Sequence, residues 1–391
     1  MLAVGVSSLL LSVGIDAQAG IEDDEEESIG DVGFSVPTEI LSEKRHDAAA
    51  HGFSVLSGIS TYWSDDDNVF HSPDELEATA ASWGNWAYLR GDTRFSGTRM
   101  LNTVKWKQER FPDEPIIDTA YFSSSNWFDR EILDGLDLEL DFDLSHQNDA
   151  SANVEGLDYA RTYEYWRYAA ETVVEWSPTR LHRIRVGAEA TKKNYDETEG
   201  MNSIDWTQWL ATASYRFRPA SGRWVKLSYT TGQRNYADEP ASIESGRELP
   251  DNPMEKHRYE EFEISLDSRL TSILDLELGY TWDTKEDLFR NYESRRTEEF
   301  RAELSMDLRQ GVELRVEGTR AWRDYDLIQG DNGNLKYRTQ EIAGGGRVRV
   351  LSPVWLFAQL GYYERDTNKS TGTVYRSFQG TRTRAGLSLF F

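Results

Sequence analysis

Residues 136–144 read Leu-Asp-Leu-Glu-Leu-Asp-Phe-Asp-Leu, a strict alternation of large apolar side chains and carboxylates. In an α-helix this order would scatter acids and apolar groups around the whole axis, whereas a β-strand separates them onto opposite faces. The segment therefore predicts a strand with one apolar face and one strongly charged face.

The same separation recurs along most of the chain. Further strands are predicted over 162–176, 183–190, 208–217, 261–267, 274–282, 300–308, 312–317 and 354–363. Upstream strands near 51–63, 83–94, 98–110 and 119–128 bring the prediction to about sixteen strands, although fourteen or eighteen also fit the pattern. We therefore expect an all-β fold.

The predicted connections alternate in length. Tight turns such as 177–180 and 220–222 are followed by longer polar loops, which we expect at roughly 196–204, 236–257, 284–295, 326–335 and 365–373. This alternation is typical of an up-and-down antiparallel barrel that crosses a membrane, with short turns at one end and long loops at the other.

The composition excludes several classes of protein. Mean hydropathy is -0.65, and no internal run approaches the roughly 18 apolar residues that a spanning helix needs. A membrane-spanning β-barrel needs no such apolar run, because only every second residue of a strand faces lipid. The absence of cysteine excludes disulfides and thiolate metal sites. The net charge of -25 argues against nucleic acid as a partner.

The segment 384–391 also alternates, with Ala385, Leu387 and Leu389 on one side. Its spacing of Arg384, Gly386, Leu389 and Phe391 resembles the insertion signal of bacterial outer-membrane β-barrels of the porin type. The resemblance implies a transmembrane antiparallel barrel in the outer membrane of a Gram-negative bacterium. It also implies outer-membrane lipid, lipopolysaccharide and the barrel assembly machinery as partners. A soluble all-β fold is the alternative, with the apolar faces packed against a second sheet.

The N-terminal region predicts export. Residues 1–19 resemble a signal peptide, with an apolar stretch followed by Ala17-Gln18-Ala19 as a cleavage site. No Lys or Arg precedes the apolar stretch, so the true start could lie upstream, and a short buried helix over 1–15 is the alternative. Residues 20–50 are acidic and predict a disordered lead-in. The barrel is expected over 51–391.

The charged face of the strands is expected to line a polar lumen. Its predicted lining residues are Arg183, Arg185, Arg216, Arg347, Arg349, Arg384, Asp137, Glu139, Asp141, Asp143, Glu261, Glu263, Asp275 and Glu277. In sequence order the bases form two arcs with the acids between them. Such arcs would either set up a transverse field that sorts solutes or only keep the interior wet and brace the strands.

Aromatic residues on the same face would either stack on sugar rings or fill gaps. These residues are Tyr165, Trp224, Trp355, Phe357 and Tyr363.

Candidate chemistry is sparse. His146, beside acidic residues, predicts either an acid–His arrangement at the outer rim or a solvated side chain, while His71 and His257 are expected in loops. Residues 64–68 (Ser-Asp-Asp-Asp-Asn) offer oxygen ligands suited to calcium, but a solvated external turn is the other interpretation. We therefore predict no catalytic residue, no metal site and no cofactor.

Two functions from different classes fit these expectations. The first is an outer-membrane channel, porin-like, that passes small hydrophilic solutes through a mixed-charge lumen. The second is the barrel component of an exopolysaccharide export machinery, which would bind a periplasmic polysaccharide export protein. A rim enzyme is a third hypothesis, for which the sequence offers no complete constellation.

Overall fold

The computed structural model describes residues 52–67, 80–112, 118–149, 163–196, 205–242, 251–309, 311–369 and 377–391. Within these ranges the chain forms sixteen β-strands. They are β1 (Phe53–Asp66), β2 (Ala80–Phe95), β3 (Thr98–Arg110), β4 (Thr119–Leu133), β5 (Leu136–Asp149), β6 (Tyr163–Thr179), β7 (His182–Tyr195), β8 (Trp206–Ala220), β9 (Arg223–Pro240), β10 (Met254–Thr271), β11 (Leu274–Asp287), β12 (Arg295–Arg309), β13 (Val312–Gly330), β14 (Gly333–Leu351), β15 (Val354–Thr367) and β16 (Phe378–Phe390).

The strands form one closed barrel in which each strand pairs with its neighbours in sequence and β16 pairs with β1. All the pairings are antiparallel, and the closing ladder runs from Gly58 opposite Phe390 to Asp66 opposite Arg382. Beyond it, the Phe391 amide donates to the Ser57 carbonyl at 2.8 Å. The prediction of an all-β, up-and-down barrel of sixteen strands is confirmed.

The two faces of the sheet have the character that the alternation predicted. Large apolar side chains stand exposed on one face, among them Phe142 at 47%, Val316 at 51% and Leu360 at 59%. The charged residues alternate with them on the less exposed face, which in a closed cylinder is the inner one. An apolar exterior of this extent is not stable in water. It is what the outer-membrane location predicted from the sequence requires.

No helix among the described residues combines the length and apolarity needed to cross a membrane.

The strands extend further than the sequence predicted at the end of the barrel opposite the short turns. β13 and β14 continue through the loop expected over 326–335 and meet at a tight turn. The extension is held by a buried cluster of Tyr325, Ile328, Leu335 and Tyr337. The alternation is interrupted here because the ladder shifts register between Asp324 and Gln329, so a strict period of two fails to detect the strand.

Glycines allow large side chains to cross the inner face beside the closing ladder. A Cβ on Gly84 would collide with the ring of Tyr62, because that ring lies directly over the Gly84 backbone. Passing over Gly84 lets the Tyr62 hydroxyl donate to Glu109 at 3.1 Å, two strands away on β3. A Cβ on Gly386 would meet Phe357 and Tyr62. This glycine of the C-terminal pattern therefore also has a packing role.

We predict that Gly84→Ala lowers the free energy of unfolding by roughly 1–3 kcal/mol, since the added methyl displaces Tyr62 in a filled interior. Gly91→Ala is the matched control on the same strand, because a Cβ there has nothing within 4 Å. Urea unfolding in lipid vesicles, followed by the folded band on unboiled SDS gels, measures both. Equal effects of the two substitutions would contradict the packing role of Gly84.

Candidate functional site

The inner face of the barrel has two unlike parts. The first, called the packed wall here, comprises the inner faces of β15, β16, β1 and β2 next to the closing ladder. Its centre is a buried cluster of Leu56, Tyr62, Trp86, Tyr88, Trp355, Phe357 and Phe390. The rings of Trp86 and Tyr88 stack at 5.4 Å between centroids. This wall is a small apolar core within the barrel.

Buried ion pairs continue the packed wall towards the long loops. Asp66, only 2% exposed, accepts hydrogen bonds from the Tyr363 hydroxyl and from Arg382 Nε, each at 2.7 Å. Arg384 Nη2 lies 3.7 Å from Glu109 Oε2. Each pair joins strands across the seam. The solvated turn predicted over 64–68 is therefore wrong for Asp66. This residue lies on β1, and its carboxylate binds side chains of β15 and β16.

The second part, called the accessible wall here, comprises the inner faces of β5–β7 and β11–β13. Its charged side chains are paired but still reached by water. Arg185 Nη2 lies 2.8 Å from Glu139 Oε2, and the Arg185 side chain remains 36% exposed. Arg315 Nη2 lies 2.6 Å from Glu303 Oε2 with 32% of the arginine exposed. Inward-facing charges on this wall are therefore hydrated.

The predicted segregation of charge into arcs does not survive the pairing of the strands. Bases and acids interleave: Arg347 pairs with Glu313, and Lys226 Nζ lies 2.7 Å from Glu263 Oε2. Glu313 and Lys226 are not among the residues of the predicted arcs, and each pairs with a charge on the adjacent strand. A transverse field between whole arcs is therefore not the electrostatic character of this lumen.

The other predicted lining residues occupy individual positions on the inner face. Asp275 accepts from Arg269 Nε at 3.1 Å, and Asp141 accepts from the Ser125 hydroxyl at 3.3 Å. The guanidinium of Arg349 lies 6.0 Å from the Trp355 ring centroid. Asp137 and Asp143 share the inner face of β5. Glu277 Oε1 lies 3.8 Å from Arg301 Nη2, and Glu261 is buried on β10.

Four of the five inward aromatic residues are covered by their neighbours. Trp224, Trp355, Phe357 and Tyr363 are each exposed by no more than 7%, so their rings are not open to a solute. Tyr165 is the exception: it is partly exposed, and Lys193 Nζ lies 3.8 Å from its ring centroid. The gap-filling interpretation therefore fits this structure better than sugar stacking.

The prediction that His257 lies in a loop is wrong. It lies on β10, fully buried, with Nε2 2.5 Å from Glu255 Oε1 and 3.7 Å from Glu293 Oε2. These three residues offer nitrogen and oxygen atoms close enough together to hold a metal ion. However, Lys285 Nζ lies 3.1 Å from Glu293 Oε2, so the ammonium group of Lys285 already balances the negative charge of this carboxylate.

The acid–His arrangement considered for His146 is present. His146 Nε2 lies 3.0 Å from Glu164 Oε1, and the imidazole packs on the Trp166 ring at 4.4 Å between centroids. With Asp196 these residues form a second group of possible metal ligands. The group lies on the outer face near the long loops, away from the lumen. His71, the signal peptide over 1–19 and the lead-in over 20–50 lie outside the described residues.

No family model matches the chain, and no curated protein matches it. Among solved structures, the chain is similar to in-vitro folded OmpT, an outer membrane protein of Vibrio cholerae, at 10% identity over 87% of this chain and 98% of that chain, with a TM-score of 0.47. It is also similar to the anion-selective porin from Comamonas acidovorans, at 11% identity over 87% and 99% of the two chains, with a TM-score of 0.46. At such values the fold assignment rests on the strand pairing itself.

We predict that Arg382→Met destabilises the barrel by roughly 3 kcal/mol, because it leaves the buried Asp66 carboxylate without its cation. Arg258→Met is the matched control, since Arg258 and Glu286 form an exposed pair on the outer face with 54% and 49% exposure. Its loss should cost less than about 1 kcal/mol. Urea midpoints of the two variants give the comparison, and equal midpoints would exclude a stabilising role for the buried pair.

Proposed function

We propose that this protein is a channel in the outer membrane of a Gram-negative bacterium, passing small hydrophilic solutes through a lumen of mixed charge. The supporting observation is the exposure of charged side chains on the accessible wall. Four inward-facing arginines of this wall each keep about a third of their side-chain surface exposed (32–36%). They are Arg183, Arg185, Arg301 and Arg315.

Hydration of these arginines indicates water inside the barrel. Burying a charge in a dry interior is costly unless it is fully paired and hydrogen-bonded. The packed wall meets that demand, as Asp66 shows with its two donors. The arginines of the accessible wall are ion-paired as well, but about a third of each side chain stays exposed (32–36%). A wall that is accessible along several strands provides a path for water and solutes.

The accessible wall also carries a local excess of acid. Asp141 stands opposite Glu171, and Glu171 stands opposite Glu189, on three successive strands. Like charges directly opposite each other repel, and within this row Glu189 is paired with Arg167, whose Nη2 lies 3.5 Å from Glu189 Oε1. We infer that the row favours cations at mid-height of the lumen.

We further propose that the exposed apolar belt contacts outer-membrane lipid, and that charged groups above it face lipopolysaccharide. Arg258 and Arg338 lie on the outer face near the long connections, where phosphate groups of that lipid would be within reach. Gly386, Leu389 and Phe391 would serve as the signal read by the barrel assembly machinery. Phe391 remains 58% exposed, as a docking residue requires.

The export hypothesis, in which the barrel would bind a periplasmic polysaccharide export protein, stays a prediction. The rim-enzyme hypothesis likewise stays a prediction.

We predict that replacing Arg185 and Arg315 together by Gln raises the preference of the channel for potassium over chloride. The substitutions remove the guanidinium groups that lie 2.8 Å from Glu139 and 2.6 Å from Glu303 on the accessible wall, which makes the local potential more negative. The matched control carries Arg258→Gln and Arg338→Gln, with the same loss of charge on the outer face. Reversal potentials in planar bilayers under a potassium chloride gradient measure the effect.

Absence of conductance from the folded wild-type barrel would overturn the channel. Equal shifts in the lumen variant and the control would show that Arg185 and Arg315 are not on the path.

A further inference from the structure

Three guanidinium groups surround one buried tryptophan at the short-turn end of the barrel. The carbon atoms Cζ of Arg183, Arg216 and Arg218 lie 5.4, 5.8 and 5.3 Å from the ring centroid of Trp224. Trp224 itself is only 4% exposed. The three bases thus converge on a single point of the inner face, where β7, β8 and β9 meet.

The ladder fixes these positions. Arg183 and Arg216 are directly opposite each other on β7 and β8. The amide of Arg218 donates to the carbonyl of Leu181 at 2.8 Å, which places Arg218 beside the tight turn between β6 and β7. All three side chains therefore lie at the short-turn mouth, which faces the periplasm when the long connections face lipopolysaccharide, as proposed above.

The surrounding acids do not balance this group. Arg183 Nη1 lies 3.3 Å from Glu175 Oε1, but Glu175 is shared with Arg185 at 3.9 Å. Asp267 stands opposite Trp224 on β10. Among the described residues, no carboxylate oxygen comes within 4.0 Å of a guanidinium nitrogen of Arg216 or Arg218. Arg216 and Arg218 thus have no ion-pair partner among the described residues, although Asp267 attracts Arg216 from a longer distance.

This arrangement differs from the other arginine–aromatic contacts of the inner face. Arg347 lies over Trp355 in the same way but pairs with Glu313, and Arg384 lies over Tyr62 but faces Glu109 at 3.7 Å. A ring face attracts a guanidinium group, yet it cannot neutralise its charge. Like charges directly opposite across a ladder are destabilising, so a bound anion would relieve the repulsion around Trp224.

We propose that Arg183, Arg216 and Arg218 form an oxyanion-binding site at the periplasmic mouth, and that its ligand is a small solute bearing two or more carboxylate or phosphate groups. The planar fork of a guanidinium group matches both kinds of oxyanion in bidentate fashion. Because Trp224 is buried, the ligand contacts the guanidinium groups and not the ring, which holds them in place from behind. The ligand's role as a transported solute rests on the proposed channel function, whereas the site itself does not.

Isothermal titration of the full barrel in detergent with inorganic pyrophosphate tests the site. The test variant carries Arg216→Gln and Arg218→Gln, and the matched control carries Arg296→Gln and Arg320→Gln, two exposed arginines of the outer face. We expect wild type and control to bind alike, and the test variant to bind at least tenfold more weakly. A folded band on an unboiled gel is required of every variant, and Arg218→Lys, which keeps the charge but loses the fork, should bind with intermediate affinity.

Two results would overturn the site: no binding of millimolar pyrophosphate by the wild type, or equal binding by wild type and both double variants. If the double variant does not fold, Arg218→Lys decides, and unchanged affinity there counts against the site. Bilayer currents separate the two proposals. Binding without conductance overturns the channel and leaves the site intact, while conductance without binding overturns the site alone. Inhibition by pyrophosphate from the short-turn side only would support its placement at this mouth.

Discussion

The closing ladder between β1 and β16 is the constraint on which the rest of the structure depends. A strand in hydrocarbon needs a partner for every backbone N–H and C=O group, so the sheet must return to its own first strand. That ladder spans Gly58 to Asp66, shorter than the β1–β2 ladder, which spans Phe53 to Asp66. The inner face compensates with side chains: Tyr62 crosses Gly84, and Arg382 binds Asp66 across the seam. Closure of the barrel and packing of this wall are therefore one feature.

Packing at the seam determines where water can be. Aromatic side chains fill the inner face near β16 and β1, so the lumen is left to the wall that lies away from them. There the ladders are long, as between β5 and β6, and need no reinforcement by an apolar core. Charged residues such as Arg185 and Glu139 can then be hydrated without loss of stability. The division between a packed and an accessible wall follows from the position of the closing ladder.

Most of the strands and their two faces could be predicted from the sequence, because the alternation along a strand depends only on the residues of that strand. Residues 136–144 separate their acids from their apolar groups without reference to any other strand, and the same holds for most of the sixteen. The wrong predictions concern features that depend on the pairing with a second strand. The shift between Asp324 and Gln329 breaks the period within one strand and hid the extension of β13. The pairing of Arg185 with Glu139 spans two ladders, so no single-strand pattern contains it. The predicted arcs of charge left out Glu313 and Lys226, which pair with Arg347 and Glu263 on the adjacent strands.

The group of arginines around Trp224 also depends on the pairing of several strands. Arg183, Arg216 and Trp224 lie on three strands, and only the register brings them to one point. Each set of like charges repels its own neighbours, and burying such charges away from water is costly. In the proposed channel, water and mobile ions would reduce that repulsion. The bases at the mouth and the acids at mid-height would then be placed to bind a passing solute.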